Sequence, residues 1–141
     1  MIWWPIIENL VVYFRSLPEF AEINVHPGTE DPINYYPCME VVWDHESNMN
    51  PYKPTKGSLT LWIDEYVVCE NSTEAYKMLY DVQQQSFAAL RGWPAYAIDT
   101  IGVALNVKVL SVASSDGALR PVTGGRIILE IEWRKKGYEN G

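Results

Sequence analysis

Apolar side chains recur along this chain with two different periods. Ile127, Leu129, Ile131 and Trp133 alternate with Ile128, Glu130, Glu132 and Arg134. Successive side chains of a strand leave opposite faces, so this stretch predicts a half-buried strand with one wet face. It closes a hairpin that opens near Val103 and passes through an irregular tip at 114–124. Cys38 to Asp44 reads as a second strand, with Met39, Val41 and Trp43 on one face and Glu40, Val42 and Asp44 on the other. Its partner runs from Ser58 to Cys69, where Leu59, Leu61 and Ile63 oppose Thr60, Trp62 and Asp64. The phase shifts at Asp64-Glu65, which predicts a bulge or strand end there.

The other period is helical. Behind Pro5, a residue suited to a first helical turn, Ile7, Leu10, Val11, Phe14 and Leu17 form one apolar stripe that Pro18 ends. Asn71-Ser72-Thr73-Glu74 marks a capped start for a second helix. That helix is expected to run to about Leu90, burying Ala75, Met78, Leu79, Val82, Ser86, Ala89 and Leu90, with Gly92 ending it and Pro94 preventing continuation. Phe20 to Val25 fits a short strand, residues 26–37 a loop, and the polar stretch from His45 to Lys56 a projecting arm. The elements predict an α+β fold: a mainly antiparallel four-stranded sheet of two hairpins, with two helices packed on one face. The length fits a single domain over 1–141, with 137–141 a frayed tail.

Composition narrows the classes. Acidic residues outnumber basic ones, 18 against 11, for a net charge of −7. A protein that grips nucleic acid neutralises phosphates with a basic patch, and the densest basic run here is Arg134-Lys135-Lys136 at a strand end. No apolar run approaches the roughly 20 residues of a membrane span. The N-terminus lacks a basic start and a cleavage site, so cytoplasmic residence is the default expectation. Cys38 and Cys69 have no metal spacing and read as buried thiols in strands.

Reactive chemistry finds little support. Asp44-His45-Glu46 is a local group of metal-ligand types, yet adjacent strand residues face apart and a site needs three or four convergent ligands. Glu130 and Glu132 share a face with Ile128 and Arg134, which is the dress of a solvated strand. Gly124-Gly125 precedes a strand, so it offers no helix N-terminus to a phosphate. No catalytic residue, metal or cofactor is therefore expected. The aromatics say more. Trp62 and Thr60 lie on the face opposite the apolar row, as does Ile128, and Tyr52 sits in the arm. Large apolar groups on a wet face are candidate contacts for another chain. The competing reading is that a loop or the N-terminal arm covers Trp62.

The capped helix from Asn71 to Leu90, the strand ending at Ala113, the irregular tip with Arg120-Pro121 and the closing strand Ile127 to Trp133 resemble the tail terminator proteins of long-tailed bacteriophages and prophages. The likeness covers most of the chain and rests on element order, size and texture. It implies a structural, non-enzymatic protein that forms a ring, a homo-hexamer in that family, on the tail tube. The ring ends tube polymerisation and joins the tail to the head connector, or stopper protein, while DNA passes through the lumen without tight binding. It further implies residence in the host cytoplasm during assembly and then in the tail or neck of the virion. Candidate interface residues on this reading are Trp62, Thr60, Ile128, Tyr52, Arg120 and Pro121. Two alternatives stand beside it. One is another neck or head-completion protein. The other is a small-ligand binding α+β domain with Tyr35, Tyr36, Asp44, His45 and Trp62 lining its pocket.

Overall fold

The computed structural model describes residues 2–28, 37–114 and 122–137. Helix α1 spans Trp3–Ser16 and leads through a 3-10 turn, Pro18–Phe20, into strand β1, Asn24–Pro27. Strands β2 (Cys38–Ser47) and β3 (Lys56–Val68) form one hairpin, α2 (Ser72–Ile101) follows, and β4 (Val103–Ser114) pairs with β5 (Val122–Lys135). Among the described residues the sheet has five strands in the order β1-β2-β3-β5-β4. The two expected hairpins are present and meet antiparallel through β3 and β5.

The four-stranded, mainly antiparallel sheet expected from the sequence is corrected to a five-stranded mixed one, because β1 pairs parallel to β2. The Asn24 amide donates to the Pro37 carbonyl and the Gly28 amide to the Val41 carbonyl, fixing that register at both ends. The short strand expected at Phe20–Val25 lies instead at Asn24–Pro27, because the chain around Phe20 is taken up by the 3-10 turn.

The second correction concerns α2, which continues through Gly92 and Pro94 to a left-handed cap at Gly102. A proline in a helix interior costs about 3 kcal/mol. The turn around it buries Leu90, Trp93 and Ala97, so tertiary packing offsets the local cost. Gly92 does not stop the helix. A Cβ there would lie 2.9 Å from the Tyr13 hydroxyl, which donates to the Ala89 carbonyl at 2.6 Å. The glycine is where α1 and α2 approach closely. The expected Asn71 cap is present, its side chain accepting from the Glu74 amide at 3.0 Å. Met78, expected inside, is exposed.

Both helices lie on one face of the sheet. Ile6, Leu10 and Phe14 of α1 and Leu90, Trp93 and Ala97 of α2 meet Met39, Val41, Leu61, Ile63, Leu129 and Ile131 in one core. A buried polar chain ties the helices together: the Trp93 indole N–H donates to Asn9 Oδ1 at 3.0 Å, and Asn9 Nδ2 donates to the Thr100 hydroxyl at 2.6 Å. Strand β3 keeps one register from Lys56 to Val68, so no bulge falls at Asp64-Glu65. The register breaks at Asp44 and Leu110 instead. The polar arm is correspondingly shorter, since β2 reaches Ser47 and β3 starts at Lys56. Cys38 is buried in β2, Cys69 lies just past β3 and is partly exposed, and neither is in a disulfide.

Candidate assembly surfaces

The strand registers place the candidate side chains in rows across the face of the sheet that neither helix covers. Val42, Trp62, Ile128 and Ser111 make one row. Glu40, Asp64, Arg126 and Ala113 make the next on one side, and His45, Thr60, Glu130 and Lys108 the next on the other. Trp62, Thr60 and Ile128 are thus brought together as the alternation implied, and each is half-buried. Part of the cover on Trp62 is internal. The Arg126 guanidinium lies 3.8 Å from its ring centroid while forking onto Asp64 at 2.8 and 3.1 Å. Asp64 is buried in that fork, so the row is a cation–π stack joined to an ion pair. Neither of the covers considered from sequence, a loop or the N-terminal arm, had pointed to Arg126.

Beside this stack, burial and the neighbouring Asp64 and Glu40 carboxylates push the Tyr66 hydroxyl up to about 12. Tyr66 is packed flat over Gly124, where a Cβ would come within 2.8 Å of its ring. On the helix face of the same strand Glu65 is fully buried against α2. Burial pushes its carboxyl up to about 7, against the opposing effect of the Ser86 hydrogen bond. Ser86 Oγ is 2.7 Å from Glu65 Oε2 and 3.0 Å from the Val82 carbonyl, and Oε1 has no partner. A single hydroxyl proton cannot serve both acceptors. Protonation of the acid, with its O–H donating to Ser86 and Ser86 donating to Val82, would relieve that competition, while Oε1 stays without a hydrogen-bond partner.

Other candidates separate. Tyr52 is 96% exposed in the turn between β2 and β3, apart from the Trp62 row in register. Arg120 and Pro121, like Tyr35 and Tyr36, lie outside the described residues. So do most of the hairpin tip and of the C-terminal tail. Asp44 and His45 do not converge with Glu46 on a ligand position. The bulge at Asp44 lets its carboxylate bond His45 Nδ1 at 2.9 Å, while Glu46 falls on the helix face. Among the described residues no group of three or more His, Cys, Asp or Glu could hold a metal ion. Clefts of about 490, 460 and 330 Å³ open between β4 and β5 near Trp133 and along the seam of α2 and β4. Asp44, His45 and Trp62 line none of these three.

Two apolar surfaces were not singled out from the sequence. At the start of α1, Trp3 stacks on Trp43 with centroids 4.3 Å apart, and Trp4 meets Trp3 edge-on at 6.3 Å. At the opposite edge of the sheet, β4 leaves Val109, Leu110 and Val112 exposed beside Tyr76 and Tyr80 of α2. The uncharged run Val109-Leu110-Ser111-Val112-Ala113-Ser114 carried that signal in the sequence. Compared with known proteins, the chain matches no family model and no curated sequence. None of the described helices is long and apolar enough to cross a membrane.

Proposed function

We propose that this chain is a structural assembly protein of the tail terminator kind, forming a ring that caps a phage tail tube and presents a surface to the head connector. The observation that carries the reading is the unlikeness of the two sheet edges. Strand β1 is short, ends at Pro27, and has its Val25 carbonyl held by Arg15 Nε at 2.8 Å, so that edge is blunted. Strand β4 is long, and its outer half carries no charge and is exposed. Closed rings are built from heterologous contacts in which one surface meets a different one, and a sheet with unlike flanks supplies both. The stacked row at Trp62, Arg126 and Ile128 leaves a further surface for the tube or connector. With a net charge of −7, a ring of such chains lets DNA slide through without holding it. Assembly on this reading occurs in the host cytoplasm, and the finished protein resides in the neck of the virion.

The layer between helices and sheet is filled by Phe14, Phe20, Leu61, Trp93 and Leu129, which weighs against the small-ligand alternative. The test is polymerisation of the tube protein encoded in the same genome, with and without this chain, followed by electron microscopy. Tubes of bounded length with a cap at one end support the proposal. Tubes that grow without limit and carry no cap overturn it.

A further inference from the structure

Resting on the ring reading, the structure assigns the two sides of the contact between neighbouring copies. The tryptophan cluster at Trp3, Trp4 and Trp43 of one copy seats on the seam of β4 and α2 of the next. The geometry comes from a single row of the sheet. Trp43, Leu61, Leu129 and Val109 are register partners across β2, β3, β5 and β4. The inner two are fully buried, while Trp43 and Val109 are 40% and 47% exposed. The apolar flanks therefore stand at the same level along the strands. A head-to-tail contact between them turns each copy about the ring axis with little rise, the condition for closing a ring instead of extending a helix.

The areas fit such a contact. On the β4 side Tyr76, Tyr80, Val109, Leu110 and Val112 are each 47% to 60% exposed. At roughly 150–250 Å² per large side chain they offer on the order of 500 Å² of apolar surface. Trp4 and Trp43 on the other side add roughly 200 Å² on the same scale. A standard interface buries about 1,600 Å² in all, a little over half of it apolar, so the two patches supply most of the apolar share. The edge of β4 adds a demand that apolar cover alone does not meet. Among the described residues its outward backbone groups have no strand beside them in the sheet, and Lys108 is the charged residue of the strand. The rigid, stacked indoles match the anchors found at interface centres.

The test uses the full chain and two single variants, Trp4→Glu and Val112→Glu, both at exposed positions. Sedimentation should show the wild type self-associating, and each variant weakened at least about tenfold, the scale of a hot-spot residue. An equimolar mixture of the two variants retains one intact pair of surfaces and should give dimers and nothing larger. Three outcomes overturn the assignment: a wild type that stays monomeric, a Trp4→Glu chain that associates like wild type, or a mixture that stays monomeric. Circular dichroism of each variant checks that the fold is kept, and Trp4→Ser replaces Trp4→Glu if it is not. Capping of tubes by variants that no longer self-associate would remove this contact and leave the ring-capping function standing. Self-association of a wild type that never caps a tube would do the reverse.

Discussion

Replacing Glu65 by Gln should stabilise the protein near neutral pH. Glu65 is buried under α2, with Ser86 on one oxygen and nothing on the other. Its carboxyl is raised from 4.5 to about 7 because burial disfavours the charge. In the unfolded chain the group releases its proton around pH 4.5, and in the folded chain around pH 7. Between those values the folded state holds more protons, so stability falls as pH rises through the window and is level above it. At 1.36 kcal/mol per pH unit the full loss is about 3 kcal/mol. A glutamine keeps the shape, donates to Ser86 through its amide, and has no charge to bury. Urea unfolding of both proteins from about pH 4 to pH 8 reads the difference directly. The variant should match the wild type to within about 1 kcal/mol at the acid end and exceed it by about 2–3 kcal/mol at the alkaline end. A difference that does not change with pH, or a variant weaker than wild type at about pH 8, would refute a protonated Glu65.

Other substitutions probe the elements that position the surfaces. Pro94→Ala restores an amide to the middle of α2 and should raise stability by about 1–3 kcal/mol in thermal or urea unfolding. Asn9→Ala strips the Trp93 indole and the Thr100 hydroxyl of their shared partner and should cost about 2–3 kcal/mol by the same measurement. Trp62→Ala removes the platform under Arg126 and should cost about 1–2 kcal/mol, with the circular dichroism spectrum of the free chain retained and tube capping lost.

The strands that alternate, and the capped start of α2, were legible because their periods follow from a half-buried surface. What escaped was set by contacts distant in sequence. Gly92 and Pro94 carry strong local stop signals, yet the helix passes them because Trp93 and Ala97 fill the core and Gly92 admits Tyr13. Asp64 and Glu65 look like a break in phase, but each finds its own solution, an Arg126 fork on one face and a buried carboxyl pushed up to about 7 on the other. A short strand was expected at Phe20–Val25, but its position at Asn24–Pro27 and its parallel pairing are set by hydrogen bonds to Pro37 and Val41 and by Arg15, none of which leaves a periodic mark. Of the candidate surface, Trp62, Thr60 and Ile128 were placed on one face by alternation alone. The Arg126 stack and the Trp3–Trp43 stack required the register. Trp43 was assigned to the inner face, and its exposure follows from lying at the flank of the helix layer.

The most direct measurement is the mass of the particle this chain makes with its tube protein, by light scattering coupled to size exclusion. Several copies of the chain bound together at a tube end are the expected result. A single copy that stays monomeric in the presence of polymerising tube protein would contradict the account at its root.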